Sequence, residues 1–347
     1  MSDHKYILGI DTSNYKTSVA LLNGEEIVFD LRRFLQVKPG ERGLRQSEAH
    51  FQHVNNLPEL FEEINSGFKG EISAIAYSAR PRPVMGSYMP CFLAGESFAK
   101  AIGSFLQVPV IGFSHQEGHI EAIRAFSEMK YIDSFLACHF SGGTCEILKI
   151  SNIADDRRRN IKPNSYTCFS GENVFYNIEL AGGSDDISFG QVLDRTGVNM
   201  GLAFPAGEEL DQIAINTSGK TSMLTPIKVN DARINLSGID TQIKNKLHAL
   251  SKGVSVTAMD RKLRDEFIKE VFTVLSDAIV KMLKQASDNT GLRDIIMSGG
   301  VSSSRFIRKA ISDKLEKNGI IVYFDEMNLS SDNAVGTALL GGEYIWD

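Results

Sequence analysis

Short β-rich runs at Tyr6–Asp11, Thr17–Leu22 and Glu25–Leu31 open the chain and predict three consecutive strands. Six more runs follow, at Ile72–Ser78, Val108–Gly112, Ser134–Phe140, Glu146–Ile150, Asp294–Ser298 and Ile320–Phe324. Longer stretches between them carry helical periodicity: Glu48–Ile64, Cys91–Leu106, Gln116–Phe126, Phe189–Thr196, Leu263–Ser287 and Ser303–Asn318. The order is strand–strand–strand, then strands alternating with helices, and it begins again near Ser134. Hairpins followed by βα units, twice over, predict two similar α/β halves. Ser151–Gly183 is polar and reads as an insertion or extended hairpin, and Thr221–Val256 reads as irregular. A last helix over Asn333–Glu343, rich in small residues, is expected to cross back onto the first half. The predicted domains are residues 1–130 with 333–347, and residues 131–332.

Composition changes this picture little. A chain of 347 residues with 42% hydrophobic and 23% charged residues is long enough for two globular domains with sizeable cores. The net charge of −6 argues against a broad basic face holding a nucleic acid unaided, because phosphate contacts need clustered Lys and Arg. Arg157, Arg158 and Arg159 offer a local patch, although a solvated loop is the ordinary reading of such a run. None of the four cysteines is spaced C-x-x-C, so neither a zinc ribbon nor a redox pair is indicated. They read as reduced thiols of a cytoplasmic protein. The sequence has no secretory h-region and no 18-residue apolar run, which predicts neither export nor a membrane span.

Three small-residue turns recur at strand ends. The first, Gly9-Ile10-Asp11-Thr12-Ser13-Asn14, can present backbone donors to an anion, and Asp11 can hold a metal-bound water. The second is Ser141-Gly142-Gly143-Thr144, where two glycines let backbone approach a phosphate. Each of these alone is more often a hairpin turn. The third, Ser298-Gly299-Gly300-Val301 through Ser304, joins a strand to a helix and aims backbone donors and a helix dipole at a ligand. It has neither the P-loop nor the G-x-G-x-x-G pattern. Together the three make a nucleotide cleft the leading reading.

Ser114-His115-Gln116-Glu117-Gly118-His119 has capping-box spacing from Ser114 to Glu117, which starts a helix there. His115 and His119 then fall at i and i+4 on one face, as a metal chelate requires; two histidines in a first turn without an ion are about as common. Gln116 stands where a zincin has its general base, so protease chemistry is not indicated. Asp332, in Ser330-Ser331-Asp332-Asn333, can complete a two-imidazole, one-carboxylate set suited to zinc or iron, though by itself it reads as a helix N-cap. Asp185, Asp186, Asp194, Glu208 and Asp211 flank the Pro205-Ala206-Gly207 turn in sequence; part of this cluster is a candidate ribose contact, and most of it reads as solvated.

In this order these pieces resemble the TsaD family of tRNA threonylcarbamoyladenosine-forming proteins. The likeness runs through Gly9–Ser13, His115/His119, Ser141–Gly143, Asp194, Pro205–Gly207, Asn235–Gly238, Gly299–Val301 and Ser331–Asn333. It implies an actin-like ATPase (ASKHA) fold of two ribonuclease-H-like domains facing a nucleotide cleft. It also implies zinc or iron at His115, His119 and Asp332, with His139 as a further candidate imidazole. Phosphates of an ATP/AMP-type nucleotide would lie near Ser141, Gly142 and Gly143, and the nucleoside near Asp194, Gly207, Asp211, Gly299, Gly300 and Ser304. The implied reaction moves a threonylcarbamoyl group from its adenylate to N6 of a tRNA adenosine, in company with an inactive paralogue and a small ATPase in bacteria. Asp11 and Lys16 are the candidate catalytic residues.

The chain departs from the family where substrate would be met. Asn14-Tyr15-Lys16 replaces an acidic stretch, Leu44 and Glu48 stand where the family has Glu and Arg, and Thr144 and Ser304 replace other residues. A divergent carbamoyltransferase, acting on another acceptor or on tRNA through altered contacts, is therefore the first reading. A nucleotide-binding regulatory or scaffold paralogue without catalysis is the second. An actin-like ATPase or sugar kinase leaves the H-x-x-x-H pair unexplained.

Overall fold

The computed structural model describes residues 6–13, 15–37, 44–83, 86–152, 175–251, 260–325, 327, 329 and 331–346. The Arg157–Arg159 run, Cys168, Asn14 and Ser330 lie outside them. Contacts divide the chain into two compact units, one within Met1–Ile132, Ser151–Asn177 and Glu326–Asp347, the other within Asp133–Ile150 and Ile178–Asp325.

The first unit is built on a five-stranded sheet. Strands β1 (Tyr6–Asp11), β2 (Lys16–Asn23) and β3 (Glu26–Phe34) form an antiparallel meander, and β4 (Ile72–Arg80) and β5 (Val110–Ser114) add in parallel, giving the order β3-β2-β1-β4-β5. β1 and β2 are buried on both faces, which is why Ile7–Ile10 and Val19–Leu22 read as continuous apolar runs rather than alternating ones. Helices α1 (Gln46–Gly67) and α2 (Phe92–Leu106) cover one face, with Leu57, Leu60 and Ala94 packed in the same core as Leu8, Ile10 and Tyr77. The other face takes the last helix, α9 (Val335–Trp346), beside α3 (His115–Arg124).

Small residues allow that second layer to sit close. A Cβ on Gly9 would meet the Ala334 carbonyl at 2.4 Å, and one on Gly341 would meet Ala76 Cβ at 2.7 Å. Where α9 meets α3, a Cβ on Gly336 would come within 1.8 Å of the Gly118 carbonyl oxygen. The glycines predicted only a small-residue helix; in the fold they let two helices and a sheet pack backbone to backbone.

The second unit repeats the design. Strands β6 (Ser134–Phe140), β7 (Cys145–Asn152), β8 (Tyr176–Ser184), β11 (Asp294–Ser298) and β12 (Ile321–Phe324) run in the order β12-β11-β6-β7-β8. Numbered within the unit this is the same 3-2-1-4-5 arrangement as in the first sheet. A short ribbon, β9 (Val229–Asn230) with β10 (Arg233–Ile234), extends the sheet beyond β8. Helices α4 (Phe189–Asn199), α5 (Gly207–Asn216), α6 (Ser237–Ser251), α7 (Arg261–Thr290) and α8 (Arg305–Leu315) pack around it.

One expectation changes here. The segment read as irregular, Thr221–Val256, contains helix α6, which buries only the narrow stripe Ile239, Ile243, Leu247 and Ser251 among polar residues. The helix escapes a reading by strong periodicity because it buries few side chains. The polar stretch that ends at Gly183 supplies β8 over its last residues, beside β7, where the extended-hairpin reading puts it.

The three described thiols are interior. Burial holds the pKa of Cys91 and of Cys145 up to about 12 and pushes that of Cys138 well above the ordinary thiol range. At pH 8 all three are neutral and shielded, so a thiol-specific disulfide reagent should leave them unmodified until the protein is denatured. Rapid native reaction of more than one thiol per chain would contradict this.

Candidate metal centre

Strand β5 hands directly to helix α3 through Ser114. Ser114 Oγ accepts from Glu117 N at 3.2 Å, and Glu117 Oε2 accepts from Ser114 N at 2.9 Å, closing the capping box that the sequence predicts. The Glu117 carboxylate is fully buried and also receives Phe175 N at 2.6 Å and Tyr176 N at 3.4 Å. Burial pushes its pKa up against these donors. Glu117 therefore fixes the start of α3 from behind, and the first turn presents His115 and His119 on the other side.

The two imidazoles converge with Asp332. His115 Nε2 and His119 Nε2 are 2.9 Å apart, and Asp332 Oδ1 lies 3.5 Å from the first and 3.6 Å from the second. Among the described residues this is the group whose ligand atoms converge closely enough to hold a metal ion. Ligand atoms at ~2.0–2.2 Å from a common ion in tetrahedral array stand ~3–3.6 Å from one another, so the triangle fits a single cation. Two imidazole nitrogens and a carboxylate oxygen suit zinc or iron.

Asp11, at the end of β1, supports this set from outside. Its Oδ2 lies 2.8 Å from His115 Nδ1, and its Oδ1 accepts from Ser13 N at 2.7 Å. A carboxylate on the far nitrogen fixes ring orientation and turns Nε2 toward the triangle. Without an ion, burial works against charge on His115, but Asp11 and Asp332 outweigh it and raise the ring to about 10. Burial and the neighbouring His115 lower His119, and the imidazoles hold Asp332 well below the usual carboxylate range despite its burial. The site is thus built around positive charge.

Asp332 reaches the triangle because a neighbour does the capping. Asn333 Oδ1 accepts from Val335 N at 3.0 Å and Gly336 N at 3.2 Å, so it is Asn333 that caps α9 and Asp332 that faces the histidines. Ala334 N donates to Ser18 Oγ at 2.9 Å, pinning the segment over β2. The Gly118–Gly336 approach then sets the separation of α9 from α3. Along the same edge Lys16 Nζ lies 4.6 Å from the centre of the Phe34 ring, and Arg32 pairs with Asp30 while its other arm reaches Ser331 Oγ at 3.4 Å.

The second unit places the Ser141–Gly143 and Gly299–Gly300 turns at strand ends, and Asp194, Gly207 and Asp211 on helices α4 and α5. Ser141 N donates to Thr144 O at 2.8 Å, closing a hairpin whose Gly142 and Gly143 have open space where side chains would be. The turn rests on the start of α4, where Ser188 Oγ donates to Gly142 O at 3.0 Å. β11 pairs with β6 up to Ser298 opposite His139, so the Gly299 turn lies beside this hairpin. Gly299, at φ +89, is required there, since a Cβ would meet Phe140 O at 2.4 Å. His139 Nδ1 lies 3.0 Å from Ser298 Oγ within this unit.

Asp211, Asp194 and Ser304 are engaged in holding backbone. Asp211 accepts from Ser304 Oγ, from Arg305 N at 3.0 Å and from Phe306 N at 3.1 Å, sitting on the N-terminus of α8. Asp194 accepts from Ala206 N at 3.0 Å and steadies the turn before Gly207, while burial raises its pKa. Sequence reasoning named these residues but not these partners; it read the Ser114–Glu117 cap but not the further partners of Glu117, nor the parts of Asn333, Gly118 and Gly336. Glu117 and Asn333 had a local signal in their capping spacing; the glycine pair had none.

A family model described as TsaD: tRNA N6-adenosine threonylcarbamoyltransferase matches residues 36–339. The tRNA N6-adenosine threonylcarbamoyltransferase of Neorickettsia sennetsu is 26% identical over 337 residues, covering 96% of this chain and 92% of its own. Among solved structures, full-length HypF in its phosphate- and nucleotide-bound form matches with a TM-score of 0.58 and 14% identity, over 99% of this chain and 56% of that one. Component A of the Acidaminococcus fermentans (R)-2-hydroxyglutaryl-CoA dehydratase matches with a TM-score of 0.51 and 14% identity, over 97% of both chains. The fold is the actin-like ATPase fold of two ribonuclease-H-like domains. No helix among the described residues is long and apolar enough to cross a membrane.

Proposed function

Because the chain belongs to the tRNA N6-adenosine threonylcarbamoyltransferase family, we propose that it moves a threonylcarbamoyl group from its adenylate to N6 of a tRNA adenosine, with a divalent metal at His115, His119 and Asp332. The observation that carries the reading is the triangle of two imidazole nitrogens and one carboxylate oxygen, with Asp11 behind His115. A scaffold has no need of three converging ligands supported by a fourth residue.

Zinc or iron held there would supply Lewis acidity toward an acyl or phosphoryl oxygen. The protein's own residues do the rest by positioning. Asp11 keeps the His115 Nδ1 proton and leaves Nε2 to the ligand set. The backbone of Gly142, Gly143, Gly207 and Gly300, where a side chain would meet nothing within 4 Å, is open to close approach by an adenine nucleotide, while Ser141 and Gly299 shape the turns that carry it. Asp194, Asp211 and Ser304 serve the nucleotide indirectly, by holding the Pro205–Gly207 turn and the start of α8 in place. In the transfer the new bond joins N6 to the carbamoyl carbon, the bond from that carbon to the phosphate oxygen breaks, AMP leaves with the electron pair, and one N6 proton passes to solvent. The reaction would take place in the cytoplasm.

The test is transfer of labelled threonylcarbamoyl from its adenylate to tRNA by metal-analysed protein, with the paralogue and small ATPase that the family resemblance implies. Incorporation is expected, to be lost with a chelator and restored by zinc or iron. Metal-replete protein that binds AMP yet transfers nothing would favour the scaffold reading.

A further inference from the structure

Among the described residues Lys16 has no close ion pair beside the triangle. It opens β2 partly buried, and its Nζ rests against the Phe34 ring at 4.6 Å. Among the described residues no carboxylate comes within 4 Å of that nitrogen, and the nearby acids are committed elsewhere. Asp30 holds Arg32, Asp11 holds His115, and Asp332 faces both histidines.

Strand geometry puts this ammonium next to the ligand-bearing segment. Side chains two apart on a strand share a face, so Lys16 and Ser18 point the same way. Ser18 Oγ receives Ala334 N, and Arg32, opposite Ser18 in the β2–β3 register, donates to Ser331 Oγ. The residues 331–334 therefore lie over the face that carries Lys16. Burial lowers the Lys16 pKa, and Asp332 exerts the largest of the charge effects on it. An unpaired, partly desolvated ammonium is costly, and a divalent cation at the triangle would add repulsion. An oxyanion between the two would relieve both.

We propose that Lys16 binds an oxyanion of the acyl donor brought to the His115–His119–Asp332 triangle, and so selects a donor that carries one. The inference rests on the threonylcarbamoyl-transfer reading, whose donor offers two such groups, the threonine carboxylate and the adenylate phosphate. Both present the same chemistry to an ammonium.

Calorimetric titration of zinc-loaded protein with two probes separates them. N-carbamoyl-L-threonine has the carboxylate without a phosphate, and AMP has the phosphate without that carboxylate. Lys16→Met keeps an unbranched stem over Phe34 and removes the charge; Lys16→Arg keeps a charge. Lys16→Met is expected to bind one probe about tenfold to a hundredfold more weakly, with Lys16→Arg recovering most of the loss. The probe affected identifies the oxyanion. Affinities for both probes within twofold of the unmodified protein would overturn the proposal. So would an unmodified protein that binds neither probe, or a Lys16→Met protein whose defect is loss of zinc alone. Failed transfer to tRNA with Lys16-dependent probe binding intact would sink the reaction and leave this site standing. Intact transfer by Lys16→Met with an unchanged KM for the adenylate would sink the site alone.

Discussion

Replacing His115 and His119 together by alanine is expected to take bound zinc or iron from one ion per chain to none, in a protein that remains folded. The substitution removes two of the three converging ligand atoms and leaves Asp332 alone. The loss of affinity should exceed the roughly 10- to 100-fold that follows when only an outer supporting group is removed. Asp11→Asn supplies that milder case, since it touches His115 Nδ1 and not the triangle itself. Folding should survive because neither ring builds the hydrophobic core. The main structural cost falls on Asp11, which is buried, loses its imidazole partner and keeps the bond from Ser13 N. A buried polar group left partly unsatisfied costs about 1–3 kcal/mol, within the roughly 5–15 kcal/mol that folded domains command. Metal analysis after dialysis, beside a thermal melt, checks both halves. Unchanged metal stoichiometry in the double variant would remove the triangle from the mechanism.

Gly336→Val is expected to be the most damaging single change outside the ligands, lowering stability by about 3–5 kcal/mol and weakening metal binding in whatever remains folded. The new Cβ would stand 1.8 Å from Gly118 O, 2.7 Å from Gly118 C and 2.9 Å from Ala122 N. All three are backbone atoms of α3, so no rotamer change relieves the clash and α9 must back away. Asp332 enters α9 through Asn333, so moving the helix moves the carboxylate away from the imidazoles. Gly238→Ala, where a Cβ meets nothing within 4 Å, is the control and should change stability by less than about 1 kcal/mol. If Gly336→Val melted with the unmodified protein and took up metal equally well, the α3–α9 contact would not be what sets the site.

Much of the fold was legible along the chain. β1, β6 and β11 occur with the bounds their apolar runs predict, because central strands bury both faces and leave unbroken hydrophobic stretches. Repetition of the strand–helix order predicted two like halves, and the two sheets share one strand order. Helix α6 was not legible, since a narrow buried stripe in a polar segment gives little periodic signal. Within the site, the His115/His119 pair and the Ser114–Glu117 cap needed only helical spacing to be seen. The choice between Asp332 as ligand and Asp332 as cap could not be made along the chain, because Asp332 and Asn333 are both suitable caps.

By itself, then, the sequence determined what is local: the identity of most strands and helices, the turns that join them, and two imidazoles on one helical face. These depend on residues within a turn or two of one another. Tertiary structure decided which carboxylate meets the imidazoles, that Asp11 stands behind His115, that Asp211 sits on the start of α8, and that Lys16 is left unpaired among its described neighbours. Each of those outcomes depends on how closely distant segments approach. Here the approach is set by backbone contacts at Gly9, Gly118 and Gly336, where the absence of a side chain counts and a one-dimensional pattern carries no trace of the distance.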